Sequence, residues 1–139
     1  MPGGASLGMS ADQLQQSVRS ARRVPHPTRL GGGLVGSWSA APIDLCGVTL
    51  APTFFFADGE LRRVEYLATD AAPSAFDALR RCGRAQWGAE LATQDPNAAF
   101  ASWATADTDI YLQQSTAAQQ RPTLRLVMKR RALKDADEL

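Results

Sequence analysis

The residues best suited to chemistry are few and far apart. Gly31-Gly32-Gly33-Leu34-Val35-Gly36 fits the pattern G-x-G-x-x-G. In a dinucleotide site that pattern follows a strand and opens a helix, whose N-terminus meets the pyrophosphate. Here Pro25, His26 and Pro27 precede it and Pro42 interrupts any helix after it, so a loop is expected instead. His26 is the single histidine. A general base needs an orienting partner and a nearby nucleophile. No G-x-S-x-G elbow or Ser/His/Asp spacing supplies them, and His26 reads as a surface loop residue. Asp107 and Asp109, with Asp95 upstream, could approach a hard cation. Calcium takes about six to eight oxygens from a dedicated loop, and no EF-hand pattern is present, so a solvated turn is expected.

Cys46 and Cys82 stand 36 positions apart. In an oxidising compartment they could form a bridge; in the cytosol they would be two buried thiols. No C-x-x-C exists, which disfavours thioredoxin-like redox chemistry. One histidine and two cysteines do not make a structural zinc site. The expectation is a non-enzymatic protein with no cofactor and no metal. Trp38, Trp87 and Trp103, with the early arginines, could stack and pair with a nucleic acid. No RNP-like aromatic-basic pattern appears, and the tryptophans read as core or half-buried sheet residues.

Charge sharpens these exclusions. The 139 residues carry 15 Lys and Arg against 14 Asp and Glu, a net charge of +1, where a dedicated nucleic-acid binder carries a stronger basic excess. The balance hides an acidic middle between two basic ends. Arg19, Arg22, Arg23 and Arg29 lie in the first block, and Arg125, Lys129 and Arg131 in the last. These seven are the candidate interaction surface, with a protein partner expected. No apolar run approaches the length of a membrane span, and the N-terminus shows no charged n-region or apolar h-region. The chain is thus either cytoplasmic as written or an exported protein without its signal.

The elements that must position these residues follow from pattern. Ser10 with Gln13 forms an S-x-x-Q capping box, with Met9 and Leu14 placed as a hydrophobic staple. Leu14 and Val18 make a narrow apolar stripe, Arg19, Arg22 and Arg23 suit a helix C-terminus, and Pro25 stops the helix. Residues 25–36 read as a loop and 37–42 as an edge strand. Asp58-Gly59 between two apolar runs, 45–57 and 61–67, is a strong hairpin signal. Ser74 and Asp77 announce a second helix, with Phe76, Leu79 and Cys82 or Gly83 on its stripe and Gly83 and Gly88 bracketing its end. Strands are expected near 99–105, 109–115 and 123–131, the last with Leu124, Leu126 and Met128 inward and Arg125, Lys129 and Arg131 sharing a face. The result is an α+β domain over residues 10–131, a mostly antiparallel sheet with two helices packed on one face, in the order α-β-β(β)-α-β-β-β. Residues 1–9 are expected as a mobile tail and 132–139 as a turn or tail. The uncovered sheet face is left for water or a partner.

Leu7-Gly8-Met9-Ser10 leading into Ala11-Asp12-Gln13-Leu14 resembles the opening of small bacterial envelope domains. Phe54-Phe55-Phe56-Ala57-Asp58-Gly59-Glu60-Leu61-Arg62-Arg63-Val64 is similar to the F-x-F-x-D/N-G-x-L-x-x-V hairpin of the same group. That group includes the SmpA/OmlA-type outer-membrane lipoproteins, the β-lactamase-inhibitor-like domains and related uncharacterised exported proteins. Ser102-Trp103 and Ile110-Tyr111-Leu112 fall where the group places a Trp strand and an I-x-L strand. Cys82 stands where an aromatic is usual, no lipobox cysteine is present, and the segment 24–45 is longer than in the lipoproteins. The resemblance implies helices on an antiparallel sheet, a periplasmic or exported location, and binding rather than catalysis. Three readings follow. The first is an envelope module binding a protein through the open sheet face or the Arg-rich segment. The second is a cytoplasmic small-ligand or enzyme accessory domain using the crevice between sheet and helix. The third is a weak nucleic-acid module using the basic ends.

Overall fold

A computed structural model describes residues 4–69, 71–94, 99–115 and 122–131, with only the backbone of 92–94. Helix α1 spans Ala11–Ser17 and begins at the expected capping box. The Ser10 hydroxyl accepts from the Gln13 N–H at 3.2 Å, and the Ser10 N–H donates to the Gln13 side chain at 2.9 Å. Two end-of-helix N–H groups are thereby satisfied. The helix stops at Val18, well before Pro25, because Val18 is already extended and the chain turns through an Ala21 N–H to Val18 carbonyl bond. Arg19, Arg22 and Arg23 are therefore not on a helix.

Strands β1 (Arg22–Arg29) and β2 (Val35–Ser39) occupy most of the expected loop 25–36 and edge strand 37–42, joined by a 3-10 turn at Gly31–Gly33. Proline cannot donate to a ladder, so it is tolerated at a sheet edge or a bulge. Both conditions hold here. β1 is the edge, and Pro25 and Pro27 fall between Arg23 and Thr28, where the pairing with β2 slips. β3 (Ile43–Leu45) and β4 (Val48–Ala57) form a hairpin, and β4 and β5 (Glu60–Ala68) another. Both loops have two residues at positive φ, Cys46 with Gly47 and Asp58 with Gly59. That is the type I′ signature that matches strand twist.

Helix α2 (Ala75–Trp87) follows, then β6 (Ala92–Gln94), β7 (Phe100–Ala104), β8 (Thr108–Ser115) and β9 (Thr123–Arg130). Among the described residues eight strands run in one antiparallel path, β1-β2-β4-β5-β9-β8-β7-β6, with β3 attached to β4. The α+β class and antiparallel sheet are thus present. Among the described residues five strands rather than two or three separate the helices, and four rather than three follow α2.

Ser74 precedes α2 with helical φ and ψ and makes no side-chain cap bond; the Ala75 N–H is taken by the Ala72 carbonyl instead. Gly83 lies inside the helix, not at its end. A Cβ there would sit 2.7 Å from the Trp103 ring, so the missing side chain makes room for that tryptophan. Trp103 is 1 % exposed and donates its ring N–H to the carbonyl of Gly88, the residue that closes α2.

Strand alternation sorts the sheet into two faces. Phe54, Val64, Met128, Ile110 and Trp103 lie across one row, with Tyr66, Leu126, Leu112 and Ala101 across the next. All are buried in a single cluster with Leu14 of α1 and Leu79 of α2. Ala5 joins that cluster, and Gly8 and Met9 bond to Leu61 through their backbones. The expected N-terminal tail is therefore part of the domain from Ala5 onward. Among the described residues no helix is long and apolar enough to cross a membrane.

Candidate functional site

The second sheet face carries the polar side chains of β5, β8 and β9. Ladder register sets Thr53, Glu65, Val127, Tyr111 and Ser102 in one row, flanked by a row of Phe55, Arg63, Lys129 and Asp109. Arg125 sits opposite Leu67 and Gln113 in the row on the other side. Glu65 is the hub. It receives the Arg63 guanidinium at 2.8 Å and lies 3.6 Å from that of Arg125. Glu65 and Arg63 are mostly shielded, whereas half of the Arg125 side chain is exposed. Lys129 lies over the Tyr111 ring at 5.3 Å, and Tyr111 stacks with Phe100 at 6.2 Å.

Beneath this polar layer Phe55 and Val127 are nearly inaccessible, although neither belongs to the main core. Phe55 fits because Gly36 has no side chain; a Cβ on Gly36 would lie 2.7 Å from the Phe55 ring. Arg63 covers the same ring at 5.9 Å. The face therefore offers aromatic edges, two arginines on the Glu65 carboxylate, and Lys129 opposite Asp109, on rigid strands rather than loops.

The seven expected surface cations do not form one patch. Arg22, Arg23 and Arg29 are exposed on β1, with Arg23 over the buried Trp38 ring at 5.4 Å. β1 is four strand steps from β9, about 19 Å at the usual spacing. Arg19 lies in the turn after α1. Arg125 and Lys129 share the second face, but Arg131 lies past the end of β9. Its guanidinium bonds Asp109 at 3.1 Å and the Thr105 carbonyl at 2.8 Å, closing the turn between β7 and β8. Asp109 is thereby an ion-pair partner rather than half of a cation site. Among the described residues no three His, Cys, Asp or Glu side chains converge. Asp95 lies outside the described residues.

The glycine motif forms a turn between antiparallel strands, closed by the Leu30 N–H to Leu34 carbonyl bond, and no helix begins there. It lacks the helix N-terminus that a pyrophosphate site requires. Gly31 and Gly32 instead border an open cleft of about 430 Å³ with Glu60, Arg62, Lys129 and Arg131. His26 is exposed on β1, between its two prolines.

Cys46 and Cys82 are joined in the structure, with Cα atoms 6.5 Å apart. Cys46 occupies the hairpin tip rather than a strand and is exposed, so the pair is not two buried thiols. Sequence reading missed Arg63, Glu65, Tyr111 and Phe100. The signal was available in the alternation of 60–68 and 108–115, which assigns each residue a face once the strand is placed. Comparison with protein-family models, curated proteins and solved structures finds no match.

Proposed function

We propose that this chain is a non-enzymatic, exported bacterial envelope module that binds a protein partner through the second face of its sheet. One observation carries the reading. That face presents Tyr111 and Phe100 beside Arg63, Arg125 and Lys129, with Glu65 holding two of the cations in place. Tyrosine, other aromatics and arginine are the residue types enriched at protein interfaces and their energetic centres. With Asp109 held by Arg131, the three cations Arg63, Arg125 and Lys129 outnumber the remaining Glu65 and favour an acidic surface on the partner.

Two further features support the other parts of the proposal. The Cys46–Cys82 bond, exposed at its Cys46 end, suits an oxidising compartment. Several acids are paired with neighbouring arginines, as in Asp109–Arg131, Asp77–Arg80 and Glu90–Arg84, and among the described residues no three His, Cys, Asp or Glu side chains converge. The resemblance of the Phe54–Val64 hairpin to exported envelope domains points the same way.

The test is a photo-activated cross-linker placed at Gln113, which is exposed on the face, and at Arg81, exposed on α2. A discrete protein adduct is expected from position 113 in the producing cells, absent from position 81 and lost with Arg125→Glu. An adduct from 81 alone, or one from 113 that survives both Arg125→Glu and Tyr111→Ala, overturns the proposal. Alkylation of both cysteines in intact cells before any reductant overturns the exported location.

A further inference from the structure

We propose that the cleft where the start of β5 meets the end of β9 binds a short condensed-phosphate chain, of the length of a triphosphate. The site shares Lys129 with the face assigned above, takes its other residues from elsewhere, and stands without that reading.

Ladder register builds the cleft. β5 and β9 are antiparallel with Arg63 opposite Lys129, so Glu60 and Arg62 arrive beside the last residues of β9. Val35 pairs with Phe56, which brings the glycine turn to the same end of the sheet. Lys129, Arg130 and Arg131 are consecutive, and within a strand they would alternate between faces. β9 ends at Arg130, and there all three border the cleft.

The cleft is open along its whole lining. Gly31, Gly32, Glu60 and Arg130 are exposed, and the other lining residues are partly exposed. A Cβ on Gly31 or Gly32 would meet nothing within 4 Å, so that wall is bare. The glycines supply room, and the side-chain cations supply the attraction. Among the described residues Leu34 is the single apolar side chain on the lining, and no aromatic ring borders it.

Four cations line the cleft with one carboxylate, Glu60. Arg62 lies 3.2 Å from Asp58 and 4.0 Å from Glu60, whose side chains are 84 % and 48 % exposed. Exposed pairs of this kind are weak and yield to a stronger anion. Arg131 is held by Asp109 and the Thr105 carbonyl and forms a fixed wall. Asp109 is opposite Lys129 in the ladder, but its carboxylate is on Arg131. Among the described residues Lys129 and Arg130 are in no ion pair. Arg130 lies against Gly8, where a Cβ would sit 3.3 Å from its guanidinium.

Charge density selects the anion. At about 30 Å³ for each group the size of a water, the cleft's 430 Å³ takes about fourteen groups. Tripolyphosphate, with three phosphorus atoms and ten oxygens, is the corresponding probe. Same-side carboxylates of an extended peptide recur only about every 6.6 Å, each with one charge. A condensed phosphate carries charge on every link, and its oxygens match the guanidinium fork.

The experiment is calorimetric titration of the intact, disulfide-bonded protein with tripolyphosphate in metal-free, low-salt buffer at neutral pH, with amide shifts followed by NMR. A hexapeptide of aspartate and adenosine triphosphate are the comparison probes. Expected results are saturable one-site binding of tripolyphosphate and shifts at Gly31, Gly32, Arg62 and Arg130. The hexapeptide, despite its greater charge, should bind more weakly. Adenosine triphosphate should bind no more tightly, since no ring in the cleft receives its base. Arg130→Glu should weaken tripolyphosphate about tenfold or more. Arg81→Glu, an equal change of net charge on α2, should stay within twofold. Glu60→Gln should tighten binding about threefold. If Arg130→Glu does not fold, Gly31→Glu, whose side chain enters open space, decides with the same expectation. Absence of saturable tripolyphosphate binding at millimolar concentration overturns the proposal. So does a hexapeptide as tight as tripolyphosphate, which assigns the cleft to an acidic peptide, or a tighter adenosine triphosphate, which assigns it to a nucleotide. Equal losses in Arg130→Glu and Arg81→Glu, or shifts confined to other parts of the domain, also overturn it. None of these failures touches the adduct expected from position 113, which depends on Arg125 and Tyr111.

Discussion

Replacing both cysteines tests how the Cys46–Cys82 bond contributes to the fold. The double variant Cys46→Ser/Cys82→Ser removes the link without leaving a lone thiol. The bond closes a loop of 36 residues that contains β4, β5 and the start of α2. In the chain-entropy description, a loop of that length restricts the unfolded chain by about 4 kcal/mol at 25 °C. Unfolding entropy near the midpoint is about 2.1 cal/mol/K per residue, or about 0.3 kcal/mol/K for a chain of this length. The melting temperature should therefore fall by about 13 °C. Urea and thermal unfolding followed by tryptophan fluorescence give both quantities. Wild type in excess reductant should match the serine variant. Because the constraint acts on the unfolded chain, most of the loss should appear as slower folding. A loss below about 1 kcal/mol, or one confined to faster unfolding, would refute the reasoning and assign the bond to local clamping of the hairpin tip on α2.

Other substitutions probe the packing. Gly83→Ala gains about 1 kcal/mol of helix propensity, but overpacking against the Trp103 ring costs about 1–3 kcal/mol, so a net loss of about 1 kcal/mol is expected. A raised melting temperature would contradict it. Leu126→Ala, at a side chain 2 % exposed, should cost about 2–5 kcal/mol in urea unfolding, and a loss under 1 kcal/mol would place Leu126 outside the core. The Arg84 guanidinium bonds both oxygens of Glu90, at 3.0 and 2.7 Å, and holds that carboxyl below the usual glutamate range. A lowered folded value stabilises the fold above the ordinary glutamate pKa and loses that contribution as pH falls through the lowered value. Glu90→Gln should therefore reduce the fall in melting temperature between about pH 5 and pH 3; an unchanged profile would show that the pair adds nothing.

Legibility in the sequence followed the range of the forces involved. The Ser10–Gln13 box and the Asp58-Gly59 hairpin depend on neighbours a few residues apart, and both stand where local chemistry places them. The alternation of Leu124, Leu126 and Met128 likewise marks the buried side of β9. β1 was illegible because two prolines argue against a strand, and only its position at a sheet edge makes them harmless. The Cys46-Gly47 turn was hidden because cysteine is an unusual residue at positive φ. Gly83 read as a helix end because the tryptophan that needs its empty side is 20 residues on in another element. The charged face shows the same limit. Arg125 and Lys129 were visible as a pair, but the Arg63–Glu65 hub that organises them comes from a strand 60 residues earlier.

The prolines of β1 also bear on how copies of this molecule behave when crowded. An exposed strand edge is a template on which another chain can add, the first step toward aggregation or fibre growth. Pro25 and Pro27 remove two N–H donors from this edge, the register slip bends it, and Arg22, Arg23 and Arg29 add like charge that repels a second copy. Growth by strand addition is thus blocked on the β1 side of the sheet. An encounter between molecules there is steered into contacts between side chains, which can dissociate, and away from backbone ladders, which tend to persist.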